Sequence, residues 1–225
     1  MTARLYGKTA LVTGGGSGFG AGIARRFARE GARLLVVDIN ADAAAAVAAE
    51  IGAESCGADV SDATSVAAMA VAAKEHLGAL DILVNNAGVT HQSGPLEGVD
   101  EESFDRVMAV NNKAVYLAAR AFVPGMKAAG KGCILNIAST AGVSPRPNLS
   151  WYNASKGWMI TATRAMAVEL APYGLRVNAV NPVAGETPLL ASFMGEDTPE
   201  IRAKFLSTIP IGRFSQPEDI ANAAL

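Results

Sequence analysis

Six short apolar runs, separated by five longer helix-patterned stretches, constrain this chain more than any other feature. The runs are TALVTG (9–14), RLLVVD (33–38), ESCGAD (54–59), LDILVNN (80–86), CILNIAS (133–139) and LRVNAVN (175–181). Most are continuously apolar rather than alternating, the pattern of strands buried on both faces. Helical stretches near 18–30, 41–51, 62–77, 101–128 and 152–172 lie between them. This alternation predicts a doubly wound α/β arrangement, a parallel sheet with helices on both faces. No linker, low-complexity tract or repeat interrupts the 225 residues, so 1–225 is expected to form one domain.

After residue 181 the pattern changes. NPVAGETPLLASFMGEDTPEIRAKFLSTIPIGRF is rich in Pro, Gly and Thr and holds one helical segment near 198–208. A long excursion from a compact sheet is commonly functional, so 183–213 is expected to be a lid over a site. The chain then enters another helix at QPEDIANAAL.

Charge excludes several functions. The 19 Lys and Arg against 21 Asp and Glu leave a net charge of −2, with no basic run of the kind a nucleic-acid surface needs. No apolar leader precedes a cleavage site, and the Ala-rich stretch 41–49 is too short to span a bilayer. Cys56 and Cys133 stand far apart without paired spacing, so neither a disulfide framework nor a zinc site is implied. With His76 and His91 the only histidines, no metal centre is expected. These features predict a cytoplasmic protein with no membrane partner.

The first run passes straight into TGGGSGFG (13–20) and then a helix. A Gly-rich turn at that junction lets the backbone approach a pyrophosphate, which the helix N-terminus favours. Gly14, Gly18 and Gly20 are the expected approach points, with Ser17 and Phe19 in the same turn. The second run ends in Asp38, followed by Ile39. A carboxylate there accepts from both ribose hydroxyls of a dinucleotide and repels a 2′-phosphate. No Lys or Arg lies in the turn or just after Asp38, so NAD is expected over NADP. The competing reading makes Asp38 a helix cap or a turn residue. Asp59, followed by Val60, ends the third run and is expected either to accept from the adenine amine or to cap the next helix.

Tyr152 and Lys156 stand four residues apart in SWYNASKGW, the spacing that puts two side chains on one helix face. On spacing alone the pair reads first as a surface pair without function. The wider set of motifs resembles the short-chain dehydrogenase/reductase family. It comprises the Thr13–Gly20 turn, NNAG (85–88), Ser139 in NIAS, Tyr152 and Lys156 in YNASK, and RVNAVNP (176–182). The resemblance covers essentially the whole chain, in the family's order, and implies a Rossmann-type fold with a substrate lid after the sixth strand.

It further implies that Tyr152 is the general acid/base and that Lys156 stands beside it and holds the nicotinamide ribose. Ser139 would bond the substrate oxygen. Asn111 would link the lysine to a water relay, with Asn112 the competing assignment. A free Tyr has a pKa of about 10, and a neighbouring ammonium is expected to lower it. Asn86, Ala87 and Gly88 of NNAG, with Pro182, Gly185 and Thr187, are the remaining implied cofactor contacts. Val183 stands where the family usually has Gly, and Gly185 is expected to restore the lost flexibility.

The expected reaction is reversible hydride transfer between NAD and a small alcohol or carbonyl compound, aromatic ones included. The alternatives are a 3-oxoacyl thioester reductase using NADPH and a non-catalytic dinucleotide-binding regulator. His91, Gln92, the loop 140–151 and Leu189 to Met194 are the candidate pocket residues. Arg146 reads as a solvated loop arginine in preference to a contact for an anionic group, and Trp151 as either a pocket or a packing residue. The resemblance implies a homo-oligomer, tetramer or dimer. Family members continue from the last helix into a strand used in subunit packing, so the final helix and strand are expected to be truncated at Leu225.

Overall fold

The computed structural model describes residues 3–195 and 198–225. Six parallel strands form one sheet in the order β3-β2-β1-β4-β5-β6: β1 Thr9–Thr13, β2 Arg33–Asp38, β3 Glu54–Gly57, β4 Ile82–Asn85, β5 Gly132–Ile137 and β6 Leu175–Val180. After β3 the chain crosses back over the sheet to lay β4 against the free side of β1. That reversal opens a crevice beyond the carboxyl ends of β1 and β4, where ligands of such sheets bind.

The continuously apolar runs follow from two buried faces. Leu11, Leu35, Leu83 and Ile134 point to one side and pack with Val66 and Met69 of α3 (Ala63–Leu77) and with Leu117 and Phe122 of α5 (Ala114–Ala129). Their neighbours Val12, Val84 and Leu135 point to the other side. There they meet Ile23 and Phe27 of α1 (Gly18–Arg29) and Ile220 of α9 (Pro217–Ala224). A third cluster seats α2 (Ala41–Ile51) on Val36 through Ala44, Val47 and Ala48.

Three boundaries differ from the sequence reading. The third strand ends at Gly57, so Asp59 lies two residues beyond it in a turn. The single helix expected over 101–128 is two, α4 (Glu101–Met108) and α5, joined by a π-helical turn at Ala109–Lys113. The wider turn carries adjacent Asn111 and Asn112 inward together, where both are buried. The lid holds a helix the sequence reading missed, α7 (Leu189–Met194), ahead of α8 (Pro199–Leu206). Six residues are too few for a periodic signal. Leu190 and Met194 anchor α7 on Ile209 and Phe214.

Candidate active site

The glycine turn is shaped by contacts a side chain would block. Gly14 has φ +61°, and a Cβ there would come within 2.9 Å of the Ala87 Cα; Gly18 has φ +52°. Both line the crevice, as expected. Gly20 does not: a Cβ on it would run into the Gly14 carbonyl, so it seats α1 against the turn rather than facing a pyrophosphate. Asn86 ties the turn to β4, its Nδ2 donating to the carbonyls of Thr13 (2.9 Å) and Gly14 (3.0 Å).

From this turn a cleft of about 480 Å³ runs along the sheet edge. Ser17, Phe19, Asp38, Ile39, Asp59 and Val60 line it, as do Asn86, Ala87, Gly88 and Thr187. The carboxylate of Asp38 is held by backbone donors, Oδ2 by Gly16 N–H and Oδ1 by Asn40 N–H, both at 3.0 Å. Asn40, not Asp38, caps α2. Asp62, not Asp59, caps α3, while Asp59 Oδ1 accepts from the amide and hydroxyl of Ser61 at 2.8 and 2.7 Å. The capping readings of both aspartates therefore fail. Arg106 and Val110 also line the cleft, and the sequence reading missed both. The positive-φ turn, the α1 N-terminus and the fixed Asp38 carboxylate together fit a dinucleotide.

The cleft continues into a second cavity through Phe19, Asn86, Gly88, Thr187 and Leu189, which line both. Ser139, Tyr152, Lys156, Pro182 and Gly185 line this second chamber, of about 100 Å³. Tyr152 and Lys156 rise from the start of α6 (Ser150–Leu170), both buried. Lys156 Nζ donates to the Ile137 carbonyl at 3.0 Å. A surface pair is thereby excluded.

Asn111 Oδ1 accepts from Val89 N–H at 2.9 Å, and its Nδ2 donates to the Val89 carbonyl and to Ser155 Oγ. Gly88 lies between the Asn111 amide oxygen and the Lys156 ammonium, each 3.4 Å from where its Cβ would stand. Asn112 instead donates to the Ser155 carbonyl, away from the lysine.

The electrostatics correct one expectation. The Tyr152 phenol is pushed up to about 12 by burial, and a hydrogen bond with Ser139 works against that only in part. Lys156 does not lower it, because its ammonium is turned to Ile137 and lies 5.9 Å from the ring centroid. Burial in turn lowers Lys156 to about 8. Each group is held toward its neutral form.

The structure sorts the candidate substrate residues. Leu189 and Phe193 of α7 line the cavity, and the Phe193 ring meets that of Tyr152 edge-on at 5.0 Å between centroids. His91 is buried, bonded to the Gln92 carbonyl, and neither it nor exposed Gln92 lines the cavity. Trp151 packs edge-on to Phe104 and donates to the Leu96 carbonyl, so it is a packing residue. Arg146 is half-buried and lines the cavity, contrary to the solvated-loop reading. Gly185 is needed for close approach rather than flexibility, since a Cβ there would strike the Phe19 ring.

Comparison with known proteins places this geometry. A family model described as enoyl-(acyl carrier protein) reductase matches residues 14–225. The chain is 50% identical over 222 residues to 4-formylbenzenesulfonate dehydrogenase of Comamonas testosteroni, spanning 96% of this chain and 88% of that one. It is 39% identical over 230 residues to 2,5-dichloro-2,5-cyclohexadiene-1,4-diol dehydrogenase of Sphingobium indicum, spanning 100% and 90%. Among solved structures, a 3-ketoacyl-(acyl-carrier-protein) reductase from Brucella melitensis complexed with NADH superposes with a TM-score of 0.93. Its identity is 49%, over 98% of this chain and 90% of that one.

Proposed function

The chain belongs to the short-chain dehydrogenase/reductase family, and from that premise we propose that it is an NAD-dependent dehydrogenase of small alcohols, aromatic ones included. The observation that carries the reading is one continuous cleft. It holds a dinucleotide-shaped turn and Asp38 at one end, and Ser139, Tyr152 and Lys156 at the other.

When bound, the nicotinamide ring supplies the acceptor for the hydride leaving the carbinol carbon. Tyr152 takes the hydroxyl proton at its phenolic oxygen, and Ser139 holds the same substrate oxygen. Lys156 orients the ribose, and the oxidised cofactor's charge favours the phenolate. Each unit by which the phenol is brought down from about 12 represents about 1.4 kcal/mol of differential interaction. Asn111 fixes the 88–89 backbone beside the lysine and carries the water relay. Phe193 and Leu189 close the cavity against bulk water.

NAD rather than NADP is favoured by Asp38, whose carboxylate is fixed by two backbone donors, and by exposed Ile39 beside it. A second reading, reduction of 3-oxoacyl thioesters, is favoured by the name of the NADH-bound structural relative. We further propose cytoplasmic location and a homo-oligomer. Initial rates with NAD and NADP over a panel of alcohols, and with acetoacetyl thioesters plus NADH or NADPH, test the assignment. Turnover of alcohols with NAD supports it; thioester reduction without alcohol oxidation replaces it with the second reading.

A further inference from the structure

We propose that this site selects alcohols bearing a carboxylate or sulfonate group, and that Arg146 is the side chain that reads the anion. The inference rests on the dehydrogenase reading above and names its substrate class.

The charge on the cavity wall is one-sided. Among the described residues its lining carries two cations, Lys156 and Arg146, and no carboxylate. Lys156 is turned to the Ile137 carbonyl. Arg146 forms no ion pair among the described residues. Its side-chain partners among the described residues are neutral: Nη2 donates to Thr208 Oγ1 at 3.1 Å, and the guanidinium stands 4.9 Å over the Phe205 ring. A guanidinium carries five N–H donors in a planar fork that matches an oxyanion two-on-two. One of those donors is committed to Thr208, and Arg146 lines the cavity.

The arginine is also held in place. Asn153, buried and adjacent to Tyr152 on α6, donates Nδ2 to the Arg146 carbonyl at 2.7 Å. The loop that carries the cation is thus tied to the helix that carries the phenol. Phe205 from α8 supports the guanidinium face, and Phe205, Phe193, Leu149 and Val183 supply apolar wall. Apolar surroundings strengthen a charge-assisted contact and make an unpaired cation costly, so an anionic substrate gains where a neutral one does not. In the lid, Arg202 is offset by Glu186 at 2.8 Å.

The test compares kcat/KM for benzyl alcohol with that for its para-carboxy and para-sulfo derivatives, using NAD. Wild type is expected to favour the anionic substrates by ~10-fold or more. Arg146→Gln is expected to bring the ratio near one, and Arg146→Lys to restore part of it. A ratio near one in wild type overturns the inference. So does an Arg146→Gln variant that lowers all rates together and keeps the ratio, which is what a structural role produces.

A second arm needs no turnover: benzenesulfonate is titrated calorimetrically into the enzyme–NAD complex. Binding that weakens ~10-fold or more in Arg146→Gln supports the anion site, even if no alcohol reacts and the dehydrogenase reading falls. Turnover of neutral alcohols without benzenesulfonate binding keeps that reading and overturns this one. Failure of both arms overturns both.

Discussion

Burial at Lys156 has a consequence for the folded protein as a whole. Its ammonium is lowered from 10.5 to about 8. Between those values the unfolded chain holds the proton and the folded chain releases it, so stability rises with pH across the window. The contribution is full above 10.5 and is lost as pH falls through about 8. Tyr152 acts with opposite sign only between 10 and about 12, where stability falls as pH rises. Urea unfolding at about pH 7 and about pH 10 should show wild type gaining up to about 3 kcal/mol more than Lys156→Met. Equal pH slopes in the two proteins would contradict the buried-lysine account.

The same residue scale shows what spacing alone conveys. An i,i+4 interval put Tyr152 and Lys156 on one face, and both do line one cavity. It carried no information about which carbonyl the lysine meets. Ile137 comes from β5, nineteen residues away in sequence, so the direction of the tyrosine shift was not legible. Arg146 was misread for a related reason. Its partners, Thr208 and Phe205, belong to the lid, and nothing local in the loop signals that the lid folds over it.

At the scale of elements, α7 couples the lid to the chemistry. Phe193 packs its ring against Tyr152 at 5.0 Å and helps keep water from the phenol. Phe193→Ala should therefore shift the rising limb of alcohol oxidation, where Tyr152 loses its proton, to lower pH, since desolvation is the main cause of the raised tyrosine pKa. It should also raise KM for an aromatic alcohol by ~10-fold through lost ring contact. A pH–rate profile with an unmoved limb and an unchanged KM would show that α7 stands clear of the reaction.

Elements were legible where they were long. All six strands and helices α1 to α3 lie within a few residues of the apolar runs, because a two-sided sheet leaves an unbroken apolar signature. The π turn was hidden, because AVNNK fits helical periodicity and only the inward Asn111–Asn112 pair demands the extra residue. Asn111 was preferred over Asn112, and its amide oxygen shares the Gly88 surroundings with the lysine. The motif match decided that, since periodicity treats the two alike.

At the scale of the whole molecule, segments far apart in sequence pack on one another. Helix α9 lies on α1, where Gly22 admits Pro217 so closely that a Cβ would come within 2.7 Å of the proline Cβ. Arg4 donates to the Leu225 carbonyl at 2.9 Å, joining the first segment to the last helix. Gly22→Val should lift α9 from the core and cost ~1–3 kcal/mol by overpacking. For a chain of this size that is a fall in melting temperature of roughly 2–4 °C per kcal/mol. An unchanged melting temperature would mean that α9 contributes little to the folded state.

The strand order places the glycine turn of β1 and the NNAG end of β4 at one reversal, and the same sheet carries Ser139 just beyond β5. Hydride transfer with Tyr152 as acid/base is the central claim this arrangement supports. Stopped-flow absorbance of NADH, mixing an alcohol with enzyme saturated in NAD, tests it most directly when wild type is run beside Tyr152→Phe. The account predicts a wild-type hydride-transfer phase that slows by ~10²–10⁴-fold in the variant, with NAD still bound. A variant that transfers hydride at the wild-type rate would place the proton acceptor elsewhere and contradict it.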